Sequence, residues 1–508
     1  MVFSGLAFIF HFLPIFLIVY YIAKPRFRNI VLLLGSLVFY ALGSPVYVPL
    51  LMVSVLVNYF IASRIQKIYA ASDKDQEADT EAADKIEDDP DIDIIDFDIQ
   101  AKEEEKAETL TRIKSPAATV WLVAALIYDL GILCIFKYLD FILEMTGVVL
   151  KTDIGSIGLA LPLGISFYTF QMISFVVDVY RADIPSKVSL LHFATYSTMF
   201  PQITSGPITR YGEVSPRLES LKGVSPRLLE KGVTAFILGL GYKVLLADKI
   251  SALWNDIWRV GAYGVDVASA WLGAWAYSFE IYFDFFGYSL MAMGVGWMLG
   301  FDIPVNFTEP YSVRTMTSFW RNWHVTLGRW FKDYLYIPLG GNRCGKARML
   351  FNMLVVWLLT GMWHGAGYNF IIWGLFLFVI LMIEKLTYGR WMEKTRVIGH
   401  LYMFILIPVS WTIFNITDVT QLSEYLLRMI GVPLEGMVVY GFSMLWELVQ
   451  TYWWLLLICI LFCTPYPMKF FKKYYKNFLV KLMLLAVFWY SVYQAALSGG
   501  NPFIYFQF

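Results

Sequence analysis

Much that a soluble enzyme carries is scarce in this chain. Charged residues make up only 16% of its 508 positions, and the formal net charge is zero. Four cysteines, Cys134, Cys344, Cys459 and Cys463, are scattered without a CxxC pair, and three lie in or beside apolar runs. That spacing supports neither a disulfide framework nor a zinc site, so no metal and no bound cofactor is expected. No charged region precedes the first apolar run, MVFSGLAFIFHFLPIFLIVYYIAKPRF, and no small-residue cleavage site follows it. The start is therefore expected to be a membrane segment rather than a removable signal peptide. No internal repeat suggests paired halves, which a transporter or flippase usually shows. No Gly-x-Ser-x-Gly stands near a histidine, so a serine nucleophile with an acyl-enzyme is not suggested. No nucleic-acid partner is expected.

Apolar runs are what the chain has in quantity. Hydrophobic residues reach 58%, against about 45–50% in an average soluble domain. Candidate spans fall near 3–23, 30–43, 45–62, 117–136, 157–180, 233–253, 268–300 (long enough for two), 348–364, 369–387, 398–416, 447–465 and 478–496. A helix needs about 20 apolar residues to cross a bilayer, and several of these runs are shorter or broken by Gly and Pro. The pattern predicts an all-α polytopic integral membrane protein with about eleven transmembrane helices plus re-entrant and interfacial pieces. Basic residues follow the first run at Lys24, Arg26 and Arg28. By the positive-inside rule this places the N-terminus outside the cell membrane, and two further crossings return the chain to the cytoplasm at Arg64 and Lys67.

One stretch breaks the composition. Residues 73–109 hold 17 Asp and Glu against four Lys, which leaves 36 basic and 23 acidic residues elsewhere. The membrane body is thus basic, and the acidic block masks it in the total. Such a block is normally disordered, and the expected organisation is N-terminal helices over 1–72, an acidic cytoplasmic insertion over 73–109 and a membrane core over 110–508. The alternation in IEDDPDIDIIDFDI marks a candidate docking peptide for a cytoplasmic partner.

Only five histidines occur, and two directly follow tryptophans in apolar surroundings: Trp323-His324 and Trp363-His364. An ionisable side chain inside a membrane costs a few kcal/mol or more and defaults to a functional reading. Histidine is the side chain best poised to move a proton near neutral pH. The bland alternative for either is a core histidine bonded to a backbone carbonyl. In SVRTMTSFWRNWHVTLGRWFKDYLYIPLGGNR, a single helix ending by Pro338 would bring Trp320, His324, Gly328 and Lys332 onto one face. Gly328 would leave room beside the imidazole. Arg321, Lys332 and Tyr336 are weaker candidates for donor phosphate or oxyanion contacts, and an interfacial anchoring role suits the same residues. Gly361 and Gly365 flank Trp363-His364, so backbones are expected to approach closely there. Upstream, TMFPQITSGPITRYGE (198–213) reads as irregular backbone at membrane depth, a re-entrant loop lining a cavity. Gln202, Ser205 and Arg210 are its candidate substrate contacts.

The phrases FPQITSGPITR, SFWRNWHVTLGRWFKDYLYIPLGGNR and TGMWHGAGYNFIIWG, with the closing NPFIYFQF, resemble the membrane-bound O-acyltransferase superfamily. Within it they are similar to the branch typified by the alginate O-acetyltransferase membrane subunit, and the likeness runs from MVFSGLAFIFHFLP to the last residue. The DYLYIPLGGNR run is specific to that branch; the related transferase that places D-alanine on teichoic acids generally lacks the full ending. The acidic insertion is the departure. The resemblance implies that His324 and His364 are the paired active-site histidines, set in a central funnel or tunnel. It implies a cytoplasmic thioester donor, acetyl-CoA or an acyl carrier, and a polysaccharide acceptor. It also implies an extracytoplasmic partner of the SGNH-hydrolase type. Acyl transfer to a hydroxyl needs a base and oxyanion donors, and a neutral imidazole is cheaper to bury than a carboxylate. His364 is favoured as base, with His324 as orienter or proton relay. A D-alanyl transferase, a lipid acyltransferase and a transporter are the rival readings.

Overall fold

The computed structural model describes residues 2–83, 115–184, 187–220, 223–434, 441–498 and Phe503, and every regular element among them is helical. The N-terminal group is α1 (Leu13–Ile22), α2 (Arg28–Gly43) and α3 (Val48–Ala83). Then follow α4 (Pro116–Leu150), α5 (Ile165–Tyr180), α6 (Leu190–Thr198) and α7 (Tyr211–Ser220). The centre is built by α8 (Pro226–Gly241), α9 (Asp248–Gly264) and α10 (Val267–Leu299), with a π-helical stretch over Tyr242–Ala247 joining α8 to α9. Two short helices, α11 (Met316–Asn322) and α12 (Val325–Phe331), precede the hairpin of α13 (Lys346–His364) and α14 (Tyr368–Leu386). The chain ends through α15 (Arg396–Asn415), α16 (Val419–Met429), α17 (Gly441–Phe462), α18 (Tyr466–Tyr474) and α19 (Phe478–Ser498).

Among the described residues, seven helical segments are long and apolar enough to cross a membrane, including Pro45–Ala71, Pro116–Leu150 and Phe478–Ser498. The expected total of about eleven also counted runs that form α5, α8–α9, α10 and α13, which are helical but shorter or less apolar. Helix α10 gives the reason. Run 268–300 is one unbroken helix rather than two crossings, and nearly its whole length is buried against protein. A helix shielded by its neighbours has no need of an apolar surface, so Ser278, Asp284 and Ser289 are tolerated there. Its ends are written locally: Asp266 accepts a bond from Ser269 N–H, and Gly300 closes the C-terminus in the left-handed conformation.

Helices α8 and α10 press closely together. A Cβ on Gly239 would lie 2.4 Å from Gly287 O, and one on Gly294 would lie 2.6 Å from Gly232 O. These glycines are spaced seven apart on both helices, so two turns of each backbone press together with no side chain between them. A third departure concerns the acidic block. Helix α3 continues to Ala83, so the first eleven residues of the segment expected to be disordered are helical. Residues 84–109 lie outside the described residues, as does the closing NPFIYFQF apart from Phe503, which stacks on Tyr288.

Candidate active site

His324 sits at a break, not within a helix. Thr315 caps α11 by accepting from Ser318 N–H, and the Glu384 carboxylate takes Met316 N–H, Thr317 N–H and the Thr317 hydroxyl at 2.6–2.8 Å. An anion at a helix N-terminus is stabilising. The helix stops after Asn322; Trp323 is extended, and His324 takes φ +44°, in the left-handed region. Residues 306–308 run alongside and collect the freed backbone groups: Val325 N–H donates to Asn306 O, and Thr308 N–H to Asn322 O. A left-handed conformation at a non-glycine residue costs about 1–2 kcal/mol and persists where the surroundings over-determine it. The single helix expected through Trp320 to Lys332 is therefore two helices, because the 306–308 segment satisfies the broken backbone.

The same segment fixes the imidazole. Asn306 Oδ1 faces His324 Nδ1 at 2.9 Å and also accepts from the Thr326 hydroxyl and, more weakly, from Thr326 N–H. Asn306 Nδ2 donates to Ser289 Oγ at 3.2 Å. The backbone N–H of Thr326 can only donate, so the atom facing the ring is an acceptor and His324 Nδ1 carries the proton. Nε2 then holds the lone pair, and no described residue bonds to it. The ring lies edge-on to Phe285 at 4.7 Å.

His324 opens on a cavity of about 160 Å³ lined by Trp320, Trp323, Leu327, Gly328, Lys332 and Tyr336, with Thr360 opposite. The helix break thus still brings Trp320, His324, Gly328 and Lys332 to one place. The Tyr336 hydroxyl donates to Asn342 Oδ1, which Lys385 Nζ also reaches at 3.0 Å. Arg321 is exposed and lines no part of this cavity.

His364 ends α13, where Gly361 and Gly365 let α14 close in: a Cβ on either would fall within 2.2 Å of Phe370 atoms. Its ring is enclosed by Trp363, Trp373 and Phe414. Trp363 also packs against Phe167, Phe170 and, at 6.2 Å between centroids, His324, so it touches both histidines. His364 opens on a separate cavity of about 110 Å³, lined by Lys137, Leu161–Phe167, Thr204 and Trp363. Lys137 Nζ donates to Trp363 O at 2.5 Å and His364 O at 3.0 Å, and Tyr138 donates to Met362 O. These two residues of α4 cap the last carbonyls of α13 and hold His364 in place. Lys137 also lines a larger, open vestibule of about 680 Å³ with Asp140, Glu144, Thr152 and Asp153.

Within 198–213, Phe200–Ile203 forms a helical turn and Tyr211 begins α7, so the irregular run is 204–210. Protein satisfies its polar groups, as Ile208 N–H donates to Thr326 Oγ1 and the Tyr196 hydroxyl to Thr209 O. It contributes Thr204 to the His364 cavity. Gln202, whose Oε1 accepts from Gln171, and Ser205 are buried away from both cavities. Arg210 pairs with the Asp333 carboxylate and lies over the Tyr334 ring, so its charge is answered within the chain. Among the described residues no group of three or more His, Cys, Asp or Glu converges as a metal site would require.

Asn306 and Lys137 are the site residues that sequence reasoning missed. Lys137 had a signal, a lone cation in an apolar run. Asn306 had none: it sits in an ordinary polar turn, PVNFTEP, and matters only through what lies across from it.

Two histidines held by different elements, one with a fixed tautomer and each opening on its own cavity, have the makings of proton-transfer chemistry between two substrates. The family description of membrane-bound O-acyltransferases matches residues 172–426, which include both histidines. Similar proteins include the probable alginate O-acetylase AlgI of Pseudomonas putida, 31% identical over the full length of both chains. Another is the peptidoglycan O-acetyltransferase of Helicobacter pylori, 31% identical over 85% of this chain and 80% of its own. The teichoic acid D-alanyltransferase of Streptococcus thermophilus is 29% identical over 47% of this chain and 59% of its own. The chain belongs to the membrane-bound O-acyltransferase family and is an acyltransferase.

Proposed function

We propose that this protein moves an acetyl group from a thioester donor to hydroxyls of an extracytoplasmic polysaccharide. The observation that carries the reading is the pair of cavities, one per histidine: both histidines pack on Trp363, while the far linings of the cavities lie toward opposite ends of α5. Ile165 and Phe167, at its start, line the His364 cavity. Arg181, just past its other end, donates to Asp333 O beside Lys332 at the His324 cavity. The 16 residues between span about 24 Å, so donor and acceptor approach from opposite sides. Placing Lys24–Arg28 in the cytoplasm, with the N-terminus outside the plasma membrane, puts Tyr336 and Lys332 on the donor side. There they meet the polar end of acetyl-CoA or of an acyl carrier.

In this scheme the acceptor hydroxyl enters past Lys137 and loses its proton to His364 as its oxygen attacks the thioester carbonyl. The C–S bond breaks, and the proton passes to the lone pair on His324 Nε2 and on to the leaving sulfur. Asn306 Oδ1 stabilises the transient imidazolium through Nδ1–H. Lys137, which lines the His364 cavity, offers its third N–H, beyond the two given to carbonyls, to the developing oxyanion. An acetylated sugar polymer agrees with the names of the relatives matched over most of their length. Completion by an SGNH-type partner outside the membrane fits an open vestibule large enough for a sugar.

The purified protein should turn over a labelled acetyl thioester in the presence of a hydroxyl acceptor. Turnover of a D-alanyl carrier with no turnover of acetyl donors would overturn the acetyl assignment. Labelling from outside intact cells of a cysteine placed at Ser72 would overturn the orientation.

A further inference from the structure

A second cleft, distinct from both histidine cavities, lies between α8, α10, α17, α18 and α19. Its main chamber, about 660 Å³, is walled by aromatic side chains including Tyr242, Phe286, Phe307 and Phe471. Three cations, Arg227, Lys231 and Lys472, stand at its mouth. Its acidic lining residues are Glu230, which is answered by Lys481 at 2.9 Å, and Glu309. Lys231 Nζ lies over the Trp297 ring at 3.6 Å, which holds that ammonium at the rim. The chamber continues into a groove of about 270 Å³ whose lining is almost wholly apolar, with Leu245, Phe470, Met483, Leu484 and Val487 among it. Leu238, Tyr242, Phe462, Met468 and Phe471 belong to both, so basic mouth and apolar groove are one continuous surface.

The neighbouring helix α18 and its continuation, YPMKFFKKYYK, add Lys469, Lys473 and Lys476 while Tyr466 and Phe470 are more than half exposed. Lysines beside exposed aromatics describe a helix lying at the headgroup level. Three cations above an apolar groove that meets the lipid phase complement one class of molecule. A free acyl thioester of the reaction is a poor match: the deep end of the chamber is closed by Ser289 and Asn306, on the Nδ1 side of His324, and His324 itself does not line it. His324 lines instead the cavity of Trp320 and Gly328.

We propose that this cleft binds an anionic phospholipid, with its phosphate held by Arg227, Lys231 and Lys472 and one acyl chain in the groove toward Val487. Because the chamber ends on Asn306, the bound lipid buttresses the residue that fixes the His324 tautomer. That second statement rests on the proposed function; the binding does not.

Binding is therefore tested apart from turnover. The full-length protein is placed in nanodiscs containing phosphatidylglycerol and phosphatidylcholine, and lipids retained after detergent extraction are counted by native mass spectrometry. Wild type should retain phosphatidylglycerol over phosphatidylcholine, and the exposed triple change Arg227→Gln, Lys231→Gln, Lys472→Gln should lower that preference about tenfold or more. Leu484→Trp, which fills the groove but leaves the cations, should also release the lipid. Equal retention in wild type and the triple variant would overturn the site. Displacement by soluble glycerol phosphate as effectively as by phosphatidylglycerol would reduce it to a phosphate site and overturn the lipid assignment. Loss of turnover with lipid retained would instead count against the catalytic reading alone.

Discussion

Two of the groups of ionisable side chains buried among the described residues are treated oppositely. Lys243, in the π-helical stretch between α8 and α9, reaches Asp284 at 2.6 Å and Asp248 at 2.7 Å, and almost none of its side chain is accessible. Lys243 thus answers both aspartates, and neither histidine cavity touches them. The histidines are the reverse. His324 lines a cavity with one nitrogen fixed by Asn306 and the other bonded to no described residue, while His364 ends a helix and lines a second cavity. The comparison separates structural from chemical polarity inside a membrane protein. A matched charge pair specifies how helices seat, whereas a half-satisfied imidazole beside open space is available to a substrate.

The sharpest way to break the contrast is to remove either imidazole. His324→Ala and His364→Ala should each lower ester formation by about 10²–10⁴ without loss of folded protein, as expected for an acid–base group. The double variant should be little worse than the poorer single one, since groups acting as a unit are non-additive. Wild-type ester formation in a well-folded single variant would sink the assignment.

Asn306→Ala should cost about tenfold to a hundredfold in turnover, the equivalent of a hydrogen bond of about 1.5–3 kcal/mol to a charged group. Asn306→Asp, which keeps an acceptor toward Nδ1–H, should retain more activity than the alanine variant. The reverse order would show that the amide does something other than fix the tautomer.

Lys243→Met tests the other half. It leaves buried carboxylates unanswered and should destabilise the protein by about 3–5 kcal/mol, read as a lower melting temperature in detergent. Turnover per folded molecule should be unchanged. Adding Asp284→Leu should recover part of the stability, because the pair is lost together. Normal stability with abolished turnover in Lys243→Met would place this cluster in the mechanism and erase the distinction.

The smallest effect is expected from the acidic block. Replacing residues 86–108 with a short Gly/Ser linker should change turnover of the purified protein by no more than about twofold, since a flexible chain closes such a connection at modest entropic cost. Retained turnover with lost polymer acylation in cells would assign the block to a cytoplasmic partner. Lost turnover in a well-folded protein would make it part of the donor site.

How much of this was legible beforehand depended on the range of the interaction. Both Trp-His pairs, the flanking glycines and the irregular backbone within 198–213 were visible because their signals are local. The helix expected through His324 was wrong because nothing in FWRNWHVTLGRW breaks a helix on its own. The break is stabilised by Asn306 and Thr308, which lie outside that segment. Arg210 was a candidate anion contact until the fold placed Asp333 beside it. Lys243 carries the same intramembrane signal as the histidines, and only its partners, five and 41 residues away, mark it as structural.

From sequence alone came the membrane class, the helical segments, the family resemblance and the two histidines, all properties of composition, periodicity and short motifs. Tertiary structure alone decided which nitrogen of His324 carries the proton, which cavity each histidine faces, and that Lys137 caps α13. Those depend on atoms brought within 3 Å across as many as 227 residues of chain. No local pattern encodes such a distance, because it is set by how every intervening helix packs.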